Sequence, residues 1–438
     1  MRKSGGNAGI WWPLTLGVLS TSFVLLVLWL SVSVHWELAI GKASMSPVFA
    51  DLRVITSQVD CIIADPGWAV GSTECDPFGR AYNYPSQLPR MMAFLGIGYA
   101  STGIIGMGLA CLFALSWALV VKMTAVSPFR VAHLSIAVTC LISPPVLLLI
   151  ERGNSDALIF SLLTLIGFLI SKERFLVSGV LIGLATALKL YPFGAIFGLL
   201  MSRSKRRITL AVTFILFALF LVLINYREWI LVASSTPRPG LEGAFGSSLL
   251  LEPLFREILV NYELVARIVG PIVLILATSL VVFVSIRHPK NCLSLLISST
   301  VYALNRDLRS RGFFAIGMGA ILCGYGIAAN YDYRMSLLIL PILALSGTFQ
   351  EARDPGFVLA LLMVGMLYLT YPIPYGFQVL GDVIGFVLFP MMGAILWHLS
   401  APNLLPRQGA RINDGDCASG EGEVLSCGAP SAAGYSRK

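Results

Sequence analysis

The chain has 438 residues, of which 12% are charged and 56% fall in the set AVILMFWYC, and its mean hydropathy is +0.81. A soluble globular chain carries about 25% charged and about 45–50% apolar residues, so a fold with this little charge could not cover its surface in water. Soluble enzymes, secreted disulfide scaffolds and disordered chains are thereby excluded, and a polytopic membrane protein is expected. The net charge of +8 is not arranged as a basic stripe with interleaved aromatics, so nucleic acid is not an expected partner.

Apolar runs long enough to cross a hydrocarbon core of about 30 Å, which takes about 20 helical residues, recur along the chain. Spans are predicted near 12–34, 93–121, 131–150, 157–171, 208–226, 268–286, 313–330, 335–349, 357–374 and 379–399. The runs are continuous and do not alternate with period two, which favours helices over a β-barrel. The first follows Arg2 and Lys3, is too long for a signal peptide and lacks a convincing small-residue cleavage site, so it reads as a signal anchor.

Placing the N-terminus inside puts most of the 31 Lys and Arg residues in cytoplasmic segments, and two large loops, about 35–92 and 227–267, then face outward. Residues 175–202, bounded by Lys172/Arg174 and by Arg203 to Arg207, are too few for two full spans and long for one. They read as a hairpin of two short helices with Lys189-Leu-Tyr-Pro192 at its turn, a break tolerated at membrane depth where it lines a cavity. The expected architecture is an all-α polytopic domain over 1–400 with about twelve helical segments. A disordered cytosolic tail over 401–438 follows, and 291–305 is either an interfacial helix or a loop.

Of the eight cysteines, Cys111, Cys140 and Cys323 lie in predicted spans, Cys292 near the inner face, and Cys417 and Cys427 in the tail. Cys61 and Cys75 share the first outer loop on the oxidising side, where a disulfide is expected and two unpaired thiols are the alternative. His35, His133, His288 and His398 are scattered without ligand spacing, so neither zinc nor haem is expected.

Polar residues within or at the edge of a membrane are costly and need a reason. Five groups fall on the predicted outer side: Asp51 with Arg53, the stretch from Cys75 to Pro85, Glu151 to Asp156, Asn330 to Arg334, and Lys189. Asp51 can act as a general base, or it can pair with Arg53 or cap the following helix; Asp60, Asp65 and Asp76 compete for the catalytic role. Asp76 precedes Pro77 and has the look of turn chemistry. Asn154 or Ser155 can cap the next span, with Asp156 in its first turn suiting the helix dipole. The same amide and carboxylate could instead hold sugar hydroxyls. Lys189 must either snorkel or meet an anion, and Arg334 poses the same choice.

Gly153-Asn154-Ser-Asp156-Ala-Leu, a span, a short basic turn and then Ser178-Gly-Val-Leu-Ile-Gly-Leu-Ala-Thr-Ala-Leu-Lys189-Leu-Tyr-Pro192 resemble the polyprenol-phosphate-mannose-dependent membrane glycosyltransferases of family 87, which have the GT-C fold. Asp51-Leu-Arg53, Asn83-Tyr84-Pro85 and Tyr331-Asp-Tyr333-Arg334 look like further landmarks, and Gln87 after Asn-Tyr-Pro-Ser marks a divergent branch. The resemblance implies transfer of a hexose, mannose in the first instance, from a polyprenyl-phosphate donor to a lipid or glycan acceptor at the outer face of the cell membrane. It implies Asp51 as catalytic base, Lys189 and Arg334 on the donor phosphate, and Asn154, Asp156, Arg53, Tyr84 and Tyr333 on the sugar or acceptor, with no metal or other cofactor. The rival reading is a transporter or flippase of a polar or polyprenyl-phosphate lipid, which would need a polar path through to the inner face.

Overall fold

The structure, a computed structural model, describes residues 22–23, 45–65, 73–80, 82–125, 130–201, 207–236, 244–245, 262–327, 330–348, 355–369 and 376–401. In chain order the α-helices are α1 (Ala50–Ala64), α2 (Gln87–Phe94), α3 (Thr102–Thr124), α4 (Arg130–Leu141), α5 (Pro144–Arg152), α6 (Asp156–Ser171), α7 (Phe175–Leu188) and α8 (Phe197–Leu200). They continue with α9 (Arg207–Ile224), α10 (Tyr226–Ser235), α11 (Tyr262–Arg287), α12 (Cys292–Arg306), α13 (Leu308–Ile327), α14 (Ile339–Gly347), α15 (Pro355–Leu369) and α16 (Gly376–Ser400). Two 3-10 turns matter for the site, Tyr191–Ile196 and Asp332–Leu338. A two-residue antiparallel pairing joins β1 (Ala244–Phe245) to β2 (Asn330–Tyr331), with Ala244 opposite Tyr331.

Among the described residues four helices are long and apolar enough to cross a membrane: Tyr99–Thr124, Arg207–Ile224, Ile268–Arg287 and Leu380–Ser400. The pair Val131–Leu141 and Pro144–Arg152, bent by 48°, makes a fifth if taken as one broken span. The bend has a local cause. Pro144 has no N–H to continue the ladder from α4, and Ser143 takes over instead, its hydroxyl donating to the Cys140 carbonyl at 2.7 Å. Apolar side chains on α9 and α11, such as Leu216, Phe220, Ile275 and Phe283, are more than half exposed, as a lipid-facing surface requires. This is the build of a multi-pass membrane protein.

The buried centre is α13. Phe313, Phe314, Ala315, Ile316, Met318 and Ala320 are all fully buried, and the helix packs against the Tyr191–Ile196 turn, α14, α6 and α16. Close approach is possible because glycines face each other at Gly194 and Gly319: a methyl group on Gly194 would run into the Gly319 carbonyl. At the end of α3 away from α1, Thr124 and His133 form a buried polar knot with Ser346, whose hydroxyl is 2.7 Å from His133 Nδ1. At the other end, Thr56 of α1 meets Thr102 of α3 through their hydroxyls at 2.6 Å.

Several expectations change. The predicted first span near 12–34 lies outside the described residues apart from Ser22 and Phe23, as do the tail beyond residue 401, His35, Cys417 and Cys427. The region 35–92, read as a loop, holds α1 and α2, and 227–267 holds α10 and the start of α11. These amphipathic stretches escape a search for long apolar runs; with α12 and the split of 131–150 into α4 and α5 they bring the α-helices among the described residues to sixteen, against about twelve segments expected for the whole chain. The stretch 335–349 is a 3-10 turn followed by the nine residues of α14, too short to cross a bilayer alone. Residues 175–202 turn at Lys189 into a 3-10 turn and the short α8, and 291–305 is helical as α12.

Gly194→Ala should therefore force the Tyr191–Ile196 turn off α13. The expected cost is about 1–3 kcal/mol, typical of overpacking, read as a fall in thermal unfolding temperature of the detergent-solubilised protein. A surface control such as Gly108→Ala, where added atoms meet open space, should show no comparable fall.

Candidate active site

Helix α1 starts abruptly at Phe49, whose left-handed backbone (φ 65°) turns the chain into the helix. The Phe49 N–H donates to the Glu151 carbonyl at 2.8 Å, and the Met45 N–H donates to the Glu151 carboxylate at 2.8 Å. The entry to α1 is thus fastened to the end of α5. Gly153, also left-handed (φ 58°), closes α5 against the same corner: a Cβ there would stand 3.0 Å from Phe49 Cβ and 3.1 Å from Leu52 Cβ. These contacts set Asp51, in the first turn of α1, beside Asn154 just before α6.

Asn154 is the junction of the site, and its amide orientation follows from its partners. Nδ2 donates to Asp51 Oδ2 at 2.7 Å and to the Tyr84 hydroxyl at 3.4 Å. Oδ1 accepts from the Asp156 backbone N–H at 3.0 Å and from Lys189 Nζ at 3.1 Å. The side chain therefore caps α6, although the formal N-cap residue Ser155 makes no such bond, and it links two carboxylates and a cation.

Asp156 is completely buried. Its Oδ1 accepts from Lys189 Nζ and from the Tyr191 hydroxyl, the latter at 2.8 Å, and its Oδ2 is ion-paired with Arg334 Nε at 3.4 Å. Lys189 reaches it because α7 stops at Leu188 and Lys189 is extended (φ −152°, ψ 140°) ahead of Pro192. Arg334 reaches it from the Asp332–Leu338 turn, its guanidinium carbon 5.2 Å from the Tyr191 ring centre. Lys189 Nζ lies 5.4 Å from the centre of the Tyr84 ring, a cation–π contact. Burial holds the Tyr84 phenol well above its usual range, and the Asp51 and Asp156 carboxylates push it the same way, so Tyr84 keeps its proton and can donate it in a hydrogen bond.

Asp51 stays partly accessible, its side chain 14% exposed, and Arg80 NH1 faces its Oδ1 at 3.8 Å. Next to this group a small crevice of about 10 Å³, room for about one water, lies between α2, α6 and α7. Leu88, Leu158, Leu188 and Pro85 line it, and Tyr84 and Lys189 stand at its polar end. The arrangement joins a wetted carboxylate, two cations sharing one carboxylate, a phenol donor and an apolar slot.

Of the residues singled out from the sequence, Asp51, Tyr84, Asn154, Asp156, Lys189 and Arg334 come together here. Tyr333 is buried beside them, close enough for the charges of Asp51, Asp156 and Arg334 to act on its phenol. Arg53 points elsewhere: its Nε donates to the Val48 carbonyl at 3.0 Å and its NH1 to the Tyr99 hydroxyl at 3.1 Å. Asp60 accepts from the Tyr99 N–H, and Asp76 accepts from Phe78 N–H and Arg80 N–H as a turn-forming carboxylate. Tyr191, Arg80 and Glu151 were not assigned from the sequence. Tyr191 sits within the quoted Lys189-Leu-Tyr-Pro192 stretch, so a signal for it was present; Arg80 lies 29 positions from Asp51 and only the fold joins them. Cys61 and Cys75 form a disulfide with Cα atoms 6.2 Å apart. Among the described residues no group of three His, Cys, Asp or Glu side chains is placed to hold a metal ion.

The model of glycosyltransferase family 87 matches residues 88–305, which takes in Asn154, Asp156, Lys189 and Tyr191 and leaves Asp51, Tyr84 and Arg334 on either side. No curated protein and no solved structure matches the chain. The stretch that carries Asn154, Asp156 and Lys189 is thus within the stretch the family model recognises, and the chain belongs to glycosyltransferase family 87.

Proposed function

We propose that the protein transfers a hexose, with mannose the first candidate, from a polyprenyl-phosphate donor to a lipid or glycan acceptor at the outer face of the cell membrane. The observation that carries this reading is the pairing of Lys189 and Arg334 on the single buried carboxylate of Asp156, at the polar end of an apolar crevice. Two cations held at one point suit a phosphate monoester or diester.

In this mechanism the acceptor hydroxyl attacks the anomeric carbon, Asp51 takes the hydroxyl proton, and the bond from the anomeric carbon to the phosphate oxygen breaks. The polyprenyl phosphate leaves with the bonding electron pair, and a single in-line displacement inverts the anomeric configuration. Lys189 and Arg334 stabilise the charge that builds on the leaving phosphate, where fixed charges in a partly dry site act strongly. Tyr84 supplies a hydrogen bond to a sugar or acceptor hydroxyl, while Asn154, its amide already engaged, holds Asp51 and Lys189 in register. Asp156, with Oδ1 hydrogen-bonded by Lys189 and Tyr191 and Oδ2 ion-paired with Arg334, serves to hold the two cations in place, and Arg53, turned to Tyr99, serves α1.

Asp51→Asn should cut transfer from a polyprenyl-phosphate hexose by about 10²–10⁴-fold, the range of a lost general base, with donor binding retained. Transfer at the wild-type rate would remove Asp51 from the mechanism. Lys189→Gln should weaken donor binding by about 10–100-fold, the worth of a hydrogen bond to a charged group, measured by titration with labelled donor. Unchanged donor affinity would leave Lys189 as a structural partner of Asp156 alone.

A further inference from the structure

The cation ion-paired with Asp51 comes from a part of the chain held in place by a covalent strut. Asp51 lies in the first turn of α1 and Cys61 near its last turn, about 15 Å further along the helix. The Cys61–Cys75 disulfide pins the segment that follows, and Asp76, fully buried at its side chain, folds that segment back. Asp76 Oδ1 accepts from the Phe78 N–H at 3.1 Å, and Oδ2 accepts from both the Arg80 N–H and Arg80 Nε at 2.9 Å. Gly79, left-handed at φ 68°, completes the turn with its N–H on the Asp76 carbonyl at 3.0 Å. The Arg80 guanidinium is also laid over the Phe78 ring, 4.7 Å from its centre. What remains of it points at Asp51 Oδ1, 3.8 Å from NH1.

That distance is informative. It is within ion-pair range yet too long for a direct hydrogen bond, so Arg80 attracts Oδ1 without occupying its lone pair, while Asn154 occupies Oδ2. The oxygen that faces Arg80 is the one left to receive a proton.

We infer that Arg80 is a positioning residue for the Asp51 carboxylate, and that the Cys61–Cys75 disulfide acts in transfer by holding Arg80 there. The inference rests on the reading of Asp51 as the base. Arg80 fixes which Asp51 oxygen faces the acceptor; the disulfide and Asp76 fix Arg80. Because Lys189 and Arg334 are untouched, the effect falls on the rate of transfer and leaves donor recognition alone.

The test is a set of full-length variants purified in detergent and assayed with a polyprenyl-phosphate hexose: Asp51→Asn, Arg80→Gln, Arg80→Lys, Cys61→Ala/Cys75→Ala, and the last combined with Arg80→Gln. Arg80→Gln should lower kcat by about 10–100-fold, the scale of a misplaced reacting group, with KM for the donor unchanged, and Arg80→Lys should recover part of the loss. The cysteine pair should lower kcat in the same way, and the triple variant should be no worse than Arg80→Gln, since the strut then has nothing to hold. A wild-type kcat for Arg80→Gln, or losses that multiply in the triple variant, would overturn the inference. If Asp51→Asn is also fully active, the assignment of the base has failed; if it alone is inactive, only the role of Arg80 and the disulfide has failed. Should the cysteine pair not fold, the two Arg80 variants still decide.

Discussion

A fully buried carboxylate is tolerable only with its charge matched, and Asp156 draws its partners from two separate parts of the chain. Lys189 must arrive from the end of α7, Tyr191 from the turn after it, and Arg334 from the turn before α14. The helix that would have run through residues 175–202 is broken at Lys189, and the stretch before α14 winds as a 3-10 turn. Removing one member would leave charge stranded in a dry interior, which typically costs about 3–5 kcal/mol. The site's cations are in this sense part of the fold.

Asn154 carries that constraint to the chemistry. With both amide atoms engaged, it cannot rotate without losing a bond to Asp51, Tyr84, Lys189 or the first turn of α6. Its backbone is set by Gly153 packed against Phe49, which is itself tied to Glu151. A wetted carboxylate on α1 and a buried ion cluster between α6 and α7 are thereby kept a side chain apart. Site geometry of this kind needs rigid backing, and α13, whose buried aromatic and small residues fill the centre, supplies it directly beneath the Tyr191–Ile196 turn.

Much of this was legible in the residues and some was not. Long apolar runs such as 93–121 and 268–286 announce helices through composition alone; α11 covers the second, whereas α3 begins at Thr102, nine residues into the first. Gly153-Asn-Ser-Asp156 and Lys189-Leu-Tyr-Pro192 could be read because a charge amid apolar neighbours is conspicuous. Helices α1, α2 and α10 stayed hidden, since their apolar and polar residues are mixed and none forms a long apolar run. Arg53 looked like Asp51's partner from two positions away, but residues at i and i+2 on a helix point in different directions; the cation that meets Asp51 is Arg80, at a distance in sequence that no local pattern encodes. Glu151 was quoted within its cluster, yet its task is to receive N–H groups from the 45–49 corner, and nothing in its spacing says so.

The two ends of α3 show how the molecule divides its polar groups. At the end near Thr124, His133 and Ser346 satisfy one another in a closed knot, as buried polar groups must when nothing is to enter. At the end near Thr102, the neighbouring polar groups lead outward: Asp51 keeps exposed surface, Arg80 and Arg334 are partly open, and the crevice beside Lys189 has a mouth. A continuous polar path would be needed to carry a headgroup across the membrane. Within the described residues the charged network instead stops at Asp156, backed by the apolar packing of α6 and α13. A closed floor beneath an open, charged mouth favours chemistry at one face over passage between two, and this agrees with membership in a transferase family.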